Sequence, residues 1–266
     1  MLPCPDPVEK RVAVVTGGNR GIGLEVCREL AGKGLRVILT SRDAEAGKKA
    51  AASIGVESHA LDVTSAESIA AFAAFAKTSL GGIDVLVNNA GATFDGFDST
   101  VVRKTLAVNT YGAMAVTDAL APLVRDGGRI IHVSSGMGNL SAFTPSVRKR
   151  FAADAITREE LAALLDEFTT AVAAHTHDSL GWPSSAYRVS KAALNVFTRI
   201  GARELASTGK RITVSAVDPG WVQTRMGGKS APRSVAEGAD TIVWLATTSE
   251  EIPSGKLFFD RAATSF

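Results

Sequence analysis

The sequence predicts a single doubly wound α/β domain with a parallel sheet flanked by helices, and three observations carry that reading. Short β-branched runs alternate with longer alanine-rich stretches of helical pattern along most of the chain. The runs are apolar throughout, as strands buried on both faces of a parallel sheet require. Glycine clusters, an asparagine pair and a serine pair fall just after the runs, where such a sheet opens its ligand crevice. With 266 residues, 45% of them hydrophobic and 21% charged, and no Pro/Ser linker or charge block, positions 1–266 read as one domain with one substantial core.

Composition also excludes classes of function. A net charge of +2 from 29 basic and 27 acidic residues is too even to make a footprint for DNA or RNA. The cluster Arg148, Lys149, Arg150 reads as a solvated helix start. Cys4 and Cys27 stand far apart without metal-ligand spacing, so neither a disulfide scaffold nor a zinc site is expected, and a reducing, cytoplasmic compartment fits. "MLPCPDPVEK" lacks the apolar run of a signal peptide, and no segment approaches the ~18 continuous apolar residues of a membrane span. His175 and His177 point to different helix faces, and His59 and His132 lie in strand-like runs, so no metal site follows.

The first strand, 11–16, leads into "TGGNRGIG" and a helix over 21–33. Gly17, Gly21 and Gly23 let the chain turn tightly and bring backbone N–H groups against a pyrophosphate at the helix N-terminus, where the macrodipole favours an anion. Glycines also serve turns for conformation alone; the strand before and the helix after supply the context the binding reading needs. The second strand, 36–41, is followed by a helix over 43–53. Folds of this kind that bind NAD place an acid after that strand for the ribose hydroxyls. Here Arg42 stands there and Arg20 in the glycine loop, which together suit a 2′-phosphate, with Asp43 next in line as the acidic alternative.

The third strand, 57–63, carries Asp62 near its end, placed either to accept from an adenine amino group or to cap the helix over 65–79. The fourth, 83–89, runs into Asn88-Asn89-Ala90-Gly91 and a helix over 99–125. The fifth, 129–135, ends in "VSSGMG", and the sixth, 211–218, in "DPGWVQT". Between these two lies "SSAYRVSKAAL", which reads as helix and sets Tyr187 and Lys191 at i and i+4, with Cβ atoms roughly 5–6 Å apart. A nearby ammonium favours the ionised phenol and moves it from ~10 towards a pKa useful for proton exchange. Alone, the pair is also an ordinary amphipathic pattern.

Thr16-Gly17-x-x-x-Gly21-x-Gly23, Asn88-Asn89-Ala90-Gly91, Ser135, Tyr187-x-x-x-Lys191 and Pro219-Gly220, in this order, resemble the short-chain dehydrogenase/reductases from Arg11 to about Phe259. Within that family "TGGNRGIG", "GWPSSAYRVSK" and "PGWVQT" are most similar to the carbonyl reductases and the plant ketone reductases of menthone and salutaridine type. The resemblance implies a Rossmann domain that binds NADP(H) and moves hydride between the nicotinamide and a small-molecule ketone, aldehyde or quinone. Tyr187 is then the proton donor, Lys191 lowers its pKa and holds the nicotinamide ribose, Ser135 bonds the substrate carbonyl, and Asn109 holds a water beside the lysine. Asn109 is equally compatible with satisfying a helix irregularity.

On the same ground Asn19, Arg20 and Ile22 join the glycines of the first loop at the cofactor. Arg42, Asp62 and Val63 flank the adenosine, and Asn89, Ala90 and Gly91 the middle of the crevice. Pro219, Gly220, Val222 and Thr224 lie under the nicotinamide. Ser134 is the alternative to Ser135, since a one-residue change of strand boundary swaps the side chain that faces in. Ser184 and Ser185 are explained by capping or exposure. Met137, Trp221, Met226, Phe94 and Phe143 are candidates for an apolar substrate pocket.

A long segment, about 140–181, separates the serine from the tyrosine. Thr157 and Glu160 form a capping box, and Leu161, Leu164, Leu165, Phe168 and Val172 recur at helical spacing, so an amphipathic helix is inserted there. Packed over the tyrosine-bearing helix it keeps the chain a monomer; as a lid it covers substrate. The rival functions are a non-catalytic dinucleotide-binding protein and a ketoacyl-type reductase of the same superfamily.

Overall fold

The computed structural model describes residues 10–265; Cys4 and the proline-bearing positions before residue 10 lie outside them. Strands β1 (Val12–Val15), β2 (Arg36–Ser41), β3 (Glu57–Ala60), β4 (Ile83–Asn88), β5 (Val124–Val133), β6 (Thr213–Val217), β7 (Lys256–Phe259) and β8 (Ala262–Thr264) form one sheet. Its order is β3-β2-β1-β4-β5-β6-β7-β8, parallel throughout except for the antiparallel β7–β8 edge. The order reverses between β1 and β4, which is the switch point where a ligand crevice opens.

Helices α1 (Gly21–Gly32), α2 (Ala44–Ile54) and α9 (Val235–Thr247) cover one face, and α3 (Ala66–Ser79), α5 (Gly112–Leu120) and α8 (Ala186–Ala206) the other. Alternation along the central strands divides the core. Val12, Val14, Leu86 and Ile130 face the α3/α5 side, whereas Ala13, Val15, Val87 and Ile131 face α1 and α9. The period of two is that of any pleated strand, and apolar residues at both phases bury the strands on both sides.

A third core lies beside the sheet. Helices α4 (Ser99–Leu106), α6 (Pro145–Ala152) and α7 (Arg158–Ala173) pack with α8 around Phe151, Phe168, Trp182 and Phe197. The Thr157/Glu160 capping box forms, and Leu161, Leu164, Leu165, Phe168 and Val172 are all buried. Among the described residues no helix is long and apolar enough to cross a membrane.

Several boundaries differ from the sequence reading. The stretch expected as one helix over 99–125 is α4, a π-helical turn at Ala107–Tyr111, α5 and a 3₁₀ turn at Ala121–Leu123. Pro122 cannot continue an α-helix, and β5 already begins at Val124 instead of 129. β3 ends at Ala60, leaving Asp62 and Val63 in a loop. Lys149 and Arg150 sit in the last turn of α6, not at its start, and Arg150 pairs with Glu167 of α7 at 2.6 Å. Helix α9 and strands β7 and β8 were not among the expected elements.

Candidate active site

The glycine loop is locked onto the loop after β4. The Thr16 hydroxyl accepts from the backbone N–H of Asn89 and of Ala90, each at 3.0 Å, and Asn89 Nδ2 donates to the carbonyls of Thr16 (2.9 Å) and Gly17 (3.1 Å). Contact is so close that a Cβ on Gly23 would stand 2.3 Å from Asn89 Nδ2. Gly17 and Gly21 have φ of +62° and +54°, which favours glycine. Asn89 thus shapes the cradle with its side chain instead of extending it towards a ligand.

Helix α1 begins at Arg20 with no side-chain cap, whereas α2, α3, α4, α7, α8 and α9 are capped by Asp43, Ser65, Asp98, Thr157, Ser185 and Ser234. The N–H groups that open α1 remain directed at the crevice, beside the half-buried Asn19 and Ile22. Arg20, in the glycine loop, and Arg42, just after β2, are exposed, and Asp43 accepts from Ala46 N at 3.0 Å as the cap of α2. This is the donor set a phosphorylated dinucleotide needs: open amides, a glycine cradle and two guanidiniums.

Asp62 does not cap α3, whose cap is Ser65; it closes the turn before it, accepting from Thr64 N (2.9 Å) and the Thr64 hydroxyl (2.7 Å). Burial raises its pKa, but those bonds and the Arg42 charge outweigh it and hold the carboxyl below its usual value. Val63 is buried, with both its side chain and its carbonyl oxygen against Gly112 at the start of α5, each 2.9 Å from where a Cβ there would stand.

Ser185 caps α8 by accepting from Arg188 N, which places Tyr187 in the first turn and Lys191 one turn on. Lys191 is fully enclosed; its Nζ lies 5.7 Å from the Tyr187 ring centroid and donates to the Val133 carbonyl at 2.8 Å. Burial brings this ammonium down to about 8. The Tyr187 phenol moves the other way: burial raises it, the Ser135 hydroxyl opposes through a hydrogen bond, and the Asp218 carboxylate adds to the rise. The expectation that Lys191 lowers the tyrosine is therefore corrected: the shift is upward, and desolvation is the larger effect.

Strand geometry separates the two serines. Ser134 is buried and its hydroxyl donates to the Lys191 carbonyl at 3.4 Å, inside the β5–α8 interface. Ser135 points to the crevice and reaches Tyr187. The following turn lies directly on α8, because a Cβ at Gly138 would stand 2.7 Å from the Lys191 backbone.

Asn109 sits in the π turn, with Oδ1 accepting from Ala92 N (2.8 Å) and Nδ2 donating to Ala92 O (2.9 Å) and Ser190 Oγ (3.1 Å). Its amide ties the loop after β4 to α8, the helix-irregularity reading, which is compatible with the other. Gly91 lies between them: a Cβ there would be 3.6 Å from Asn109 Oδ1 and 3.7 Å from Lys191 Nζ.

Across the crevice, Pro219 leads to Gly220, which turns at φ +75° with its N–H on Asp218 Oδ1 (2.9 Å). Val222 is buried, and the Thr224 methyl would lie 3.4 Å from a Cβ on Gly21, closing the loop after β6 against the glycine loop. Trp221, Met226 and Met137 are 57%, 48% and 43% exposed. Phe143 is instead buried in the insertion, its ring centroid 5.6 Å from that of Phe151, so it leaves the list of pocket candidates.

A pocket of about 130 Å³ opens beside Tyr187, lined among others by Phe94, Phe97, Val101, Ser184 and Ser185. Sequence reasoning named Phe94 but missed Phe97 and Val101 and gave Ser184 no place in a site. Phe97 lies in an unpatterned loop, and only the Asp98 cap after it marks the chain there. Among the described residues no group of three His, Cys, Asp or Glu could hold a metal.

Doubly wound proteins bind dinucleotides across the switch point in this way, and a proton-bearing phenol next to that cleft places the chain among the oxidoreductases of this class. The chain belongs to the short chain dehydrogenase family, which it matches over residues 11–147 and 171–234. It is 40% identical over 252 residues to carbonyl reductase (NADPH) 1 of Homo sapiens, covering 88% of this chain and 90% of that protein. Carbonyl reductase (NADPH) 3 of Rattus norvegicus is 37% identical over 272 residues, covering 96% and 98%. Among solved structures, salutaridine reductase from Papaver somniferum superposes with a TM-score of 0.88 at 30% identity, covering 94% of this chain and all of that one. Menthone neomenthol reductase from Mentha piperita gives 0.82 at 33%, covering 95% and 99%.

Proposed function

We propose that the protein is an NADPH-dependent carbonyl reductase acting on uncharged ketones, aldehydes or quinones with a cyclic body. The observation that carries this is the convergence of Ser135, Tyr187 and Lys191 beside a pocket lined by uncharged side chains, hydroxyls and phenylalanines together, across from an uncapped helix N-terminus. NADPH supplies the hydride when bound. The first-loop amides and Gly17, Gly21 and Gly23 hold its pyrophosphate, Arg20 and Arg42 its 2′-phosphate, and Lys191 its nicotinamide ribose. The loop from Pro219 to Thr224 orients the nicotinamide.

Ser135 and Tyr187 together address the substrate oxygen. Tyr187, kept protonated at neutral pH by burial, releases its proton to that oxygen as negative charge develops there. Lys191, with a pKa of about 8, then stands one turn away to return a proton to the phenolate. A cytoplasmic location belongs to the same reading.

The test is NADPH absorbance decay with menadione, an aryl ketone and a β-ketoacyl thioester. Reduction of the first two supports the proposal. Preference for the thioester would favour a ketoacyl reductase, and NADPH binding without turnover a non-catalytic protein.

A further inference from the structure

The pocket beside Tyr187 has two walls that come from distant parts of the chain. One is the loop after β4, with Phe97; the other is the entry to α8, with Ser184. Both meet the same side chain. The Phe97 ring stands edge-on to the His177 imidazole with centroids 5.0 Å apart, and lies 6.3 Å from Phe168 of α7. Ser184 Oγ is 3.0 Å from His177 Nε2 and donates to Asp178 Oδ1 at 3.1 Å. Because the serine proton is committed to a carboxylate, the imidazole nitrogen facing it is the one that donates.

His177 lies in the turn by which the insertion returns to α8. That turn starts at His175, which is in the left-handed region at φ +57°, and closes with Trp182 N donating to the His177 carbonyl at 2.9 Å. Trp182 is buried against Phe151 and Phe168, so the turn is anchored in the insertion's own core. Among the described residues, the buried His177 Nδ1 has no hydrogen-bond partner. An unpaired buried nitrogen is costly, and an imidazole kept there in spite of that cost joins an N–H towards one wall to an aromatic edge against the other. No aliphatic side chain combines the two.

We propose that His177 is a positioning residue for the substrate: by holding Phe97 and Ser184 it sets the width of the pocket, and through it the insertion governs which carbonyl compounds enter. This rests on the reductase reading above. The pocket's lining side chains are all uncharged, with Phe94 and Phe97 beside serine and threonine hydroxyls, so the part of the substrate we assign to it is a neutral, ring-bearing body extending from the carbonyl carbon at Tyr187. A small aliphatic ketone reaches Tyr187 without touching Phe97.

The experiment compares wild type with His177→Leu, His177→Gln and Phe97→Leu on a naphthyl methyl ketone and on butanone. The expected result is a KM for the naphthyl ketone raised roughly tenfold in His177→Leu and in Phe97→Leu, equivalent to about 1.4 kcal/mol. In the His177 variants butanone kcat/KM and the KM for NADPH stay within about twofold, and the double variant His177→Leu/Phe97→Leu is no worse on the naphthyl ketone than the more impaired single one, as coupled residues require. His177→Gln, which restores an N–H donor towards Ser184, recovers part of the loss.

Equal losses on both ketones would mark a merely structural residue, and an unchanged naphthyl KM would mark an idle one; either overturns the proposal. If His177→Leu does not fold, His177→Gln and Phe97→Leu carry the same comparison. Calorimetric titration of the naphthyl ketone into the protein with NADP⁺ bound reads the contrast without turnover. A protein that reduces neither ketone would thus overturn the reductase reading, while the binding contrast still decides the role of His177.

Discussion

At Tyr187 and Lys191 burial acts in opposite directions on two groups one helical turn apart. It keeps the phenol protonated and loosens the proton on the amine, which is brought down to about 8. A raised phenol is a loaded donor, and the alkoxide formed by carbonyl reduction is basic enough to take its proton. Tyr187→Phe keeps the ring and its packing but removes that proton, so kcat should fall about 10²–10⁴-fold while NADPH affinity, read by fluorescence titration, stays nearly intact. A variant that kept a tenth of the wild-type rate would remove Tyr187 from the role. The adenosine end gives a second prediction. Asp43 is occupied as the cap of α2, and Asp62 interacts with Arg42 from the loop after β3, which leaves Arg20 and Arg42 to meet a 2′-phosphate. NADPH should be preferred over NADH by roughly a hundredfold in kcat/KM, about 2.7 kcal/mol, and Arg42→Ala should remove about tenfold or more of that. Equal use of both cofactors by the wild type would sink the arginine assignment.

At the scale of elements, α8 is fastened to the sheet by a buried chain of hydrogen bonds. Asn88 Nδ2 donates to Thr117 Oγ1 (2.9 Å), which faces His132 Nε2 (3.3 Å); His132 Nδ1 faces Thr198 Oγ1 (2.9 Å), which donates to the Leu194 carbonyl (2.9 Å). Since Thr198 spends its proton on Leu194, Nδ1 is the protonated nitrogen and the ring is neutral. Burial, helped by the Lys191 charge, holds His132 at about 3, against an ordinary value of 6.5. The sign follows: the unfolded chain takes up the proton first, so the fold is unaffected above pH 6.5 and loses stability as pH falls below it. Between pH 6.5 and 5 that loss is roughly 2 kcal/mol from this one group. Urea titrations across that window should give a steeper decline for wild type than for His132→Asn; parallel slopes would show His132 is not buried neutral. The same helix shows what was legible in the sequence. Tyr187 and Lys191 at i and i+4, the glycine turn between strand and helix, Ser135 at a strand end and the Thr157/Glu160 box are local patterns, and each is where it was expected. His177, Phe97 and the true partners of Asn89 and Asn109 depend on which loops meet in three dimensions, and no spacing encodes that. Phe143 was misplaced for the same reason: the insertion's packing, not the residue's own neighbours, decides that it is buried. The break in 99–125 carried one local sign, Pro122, in a run otherwise apolar enough to pass for helix.

For the molecule as a whole, the question is what covers the outward side of α8. Here the insertion does so with both apolar and polar contacts. Leu161, Leu164, Leu165 and Phe168 of α7 are buried in one core with α4 and α8. Arg199 and Arg203 of α8 donate to the carbonyls of Phe151, Asp154 and neighbours that end α6. Arg158, at the start of α7, bridges Asp118 of α5 (2.9 Å) and Glu204 of α8 (2.6 Å) with its guanidinium 5.0 Å from the Phe197 ring centroid. The match to the family passes over 148–170, the end of α6 and most of α7, so this cover is additional to what the family shares. A surface already satisfied within the chain has no apolar area left for a second copy, and stable interfaces need about 800 Å² from each partner. We therefore expect a monomer of 27.7 kDa in light scattering at micromolar concentration. Replacing Leu161, Leu164 and Phe168 by Ala should loosen α7, expose the apolar flank of α8 and produce association or aggregation. A wild-type dimer or tetramer would instead give the outer face of the insertion the role of an interface.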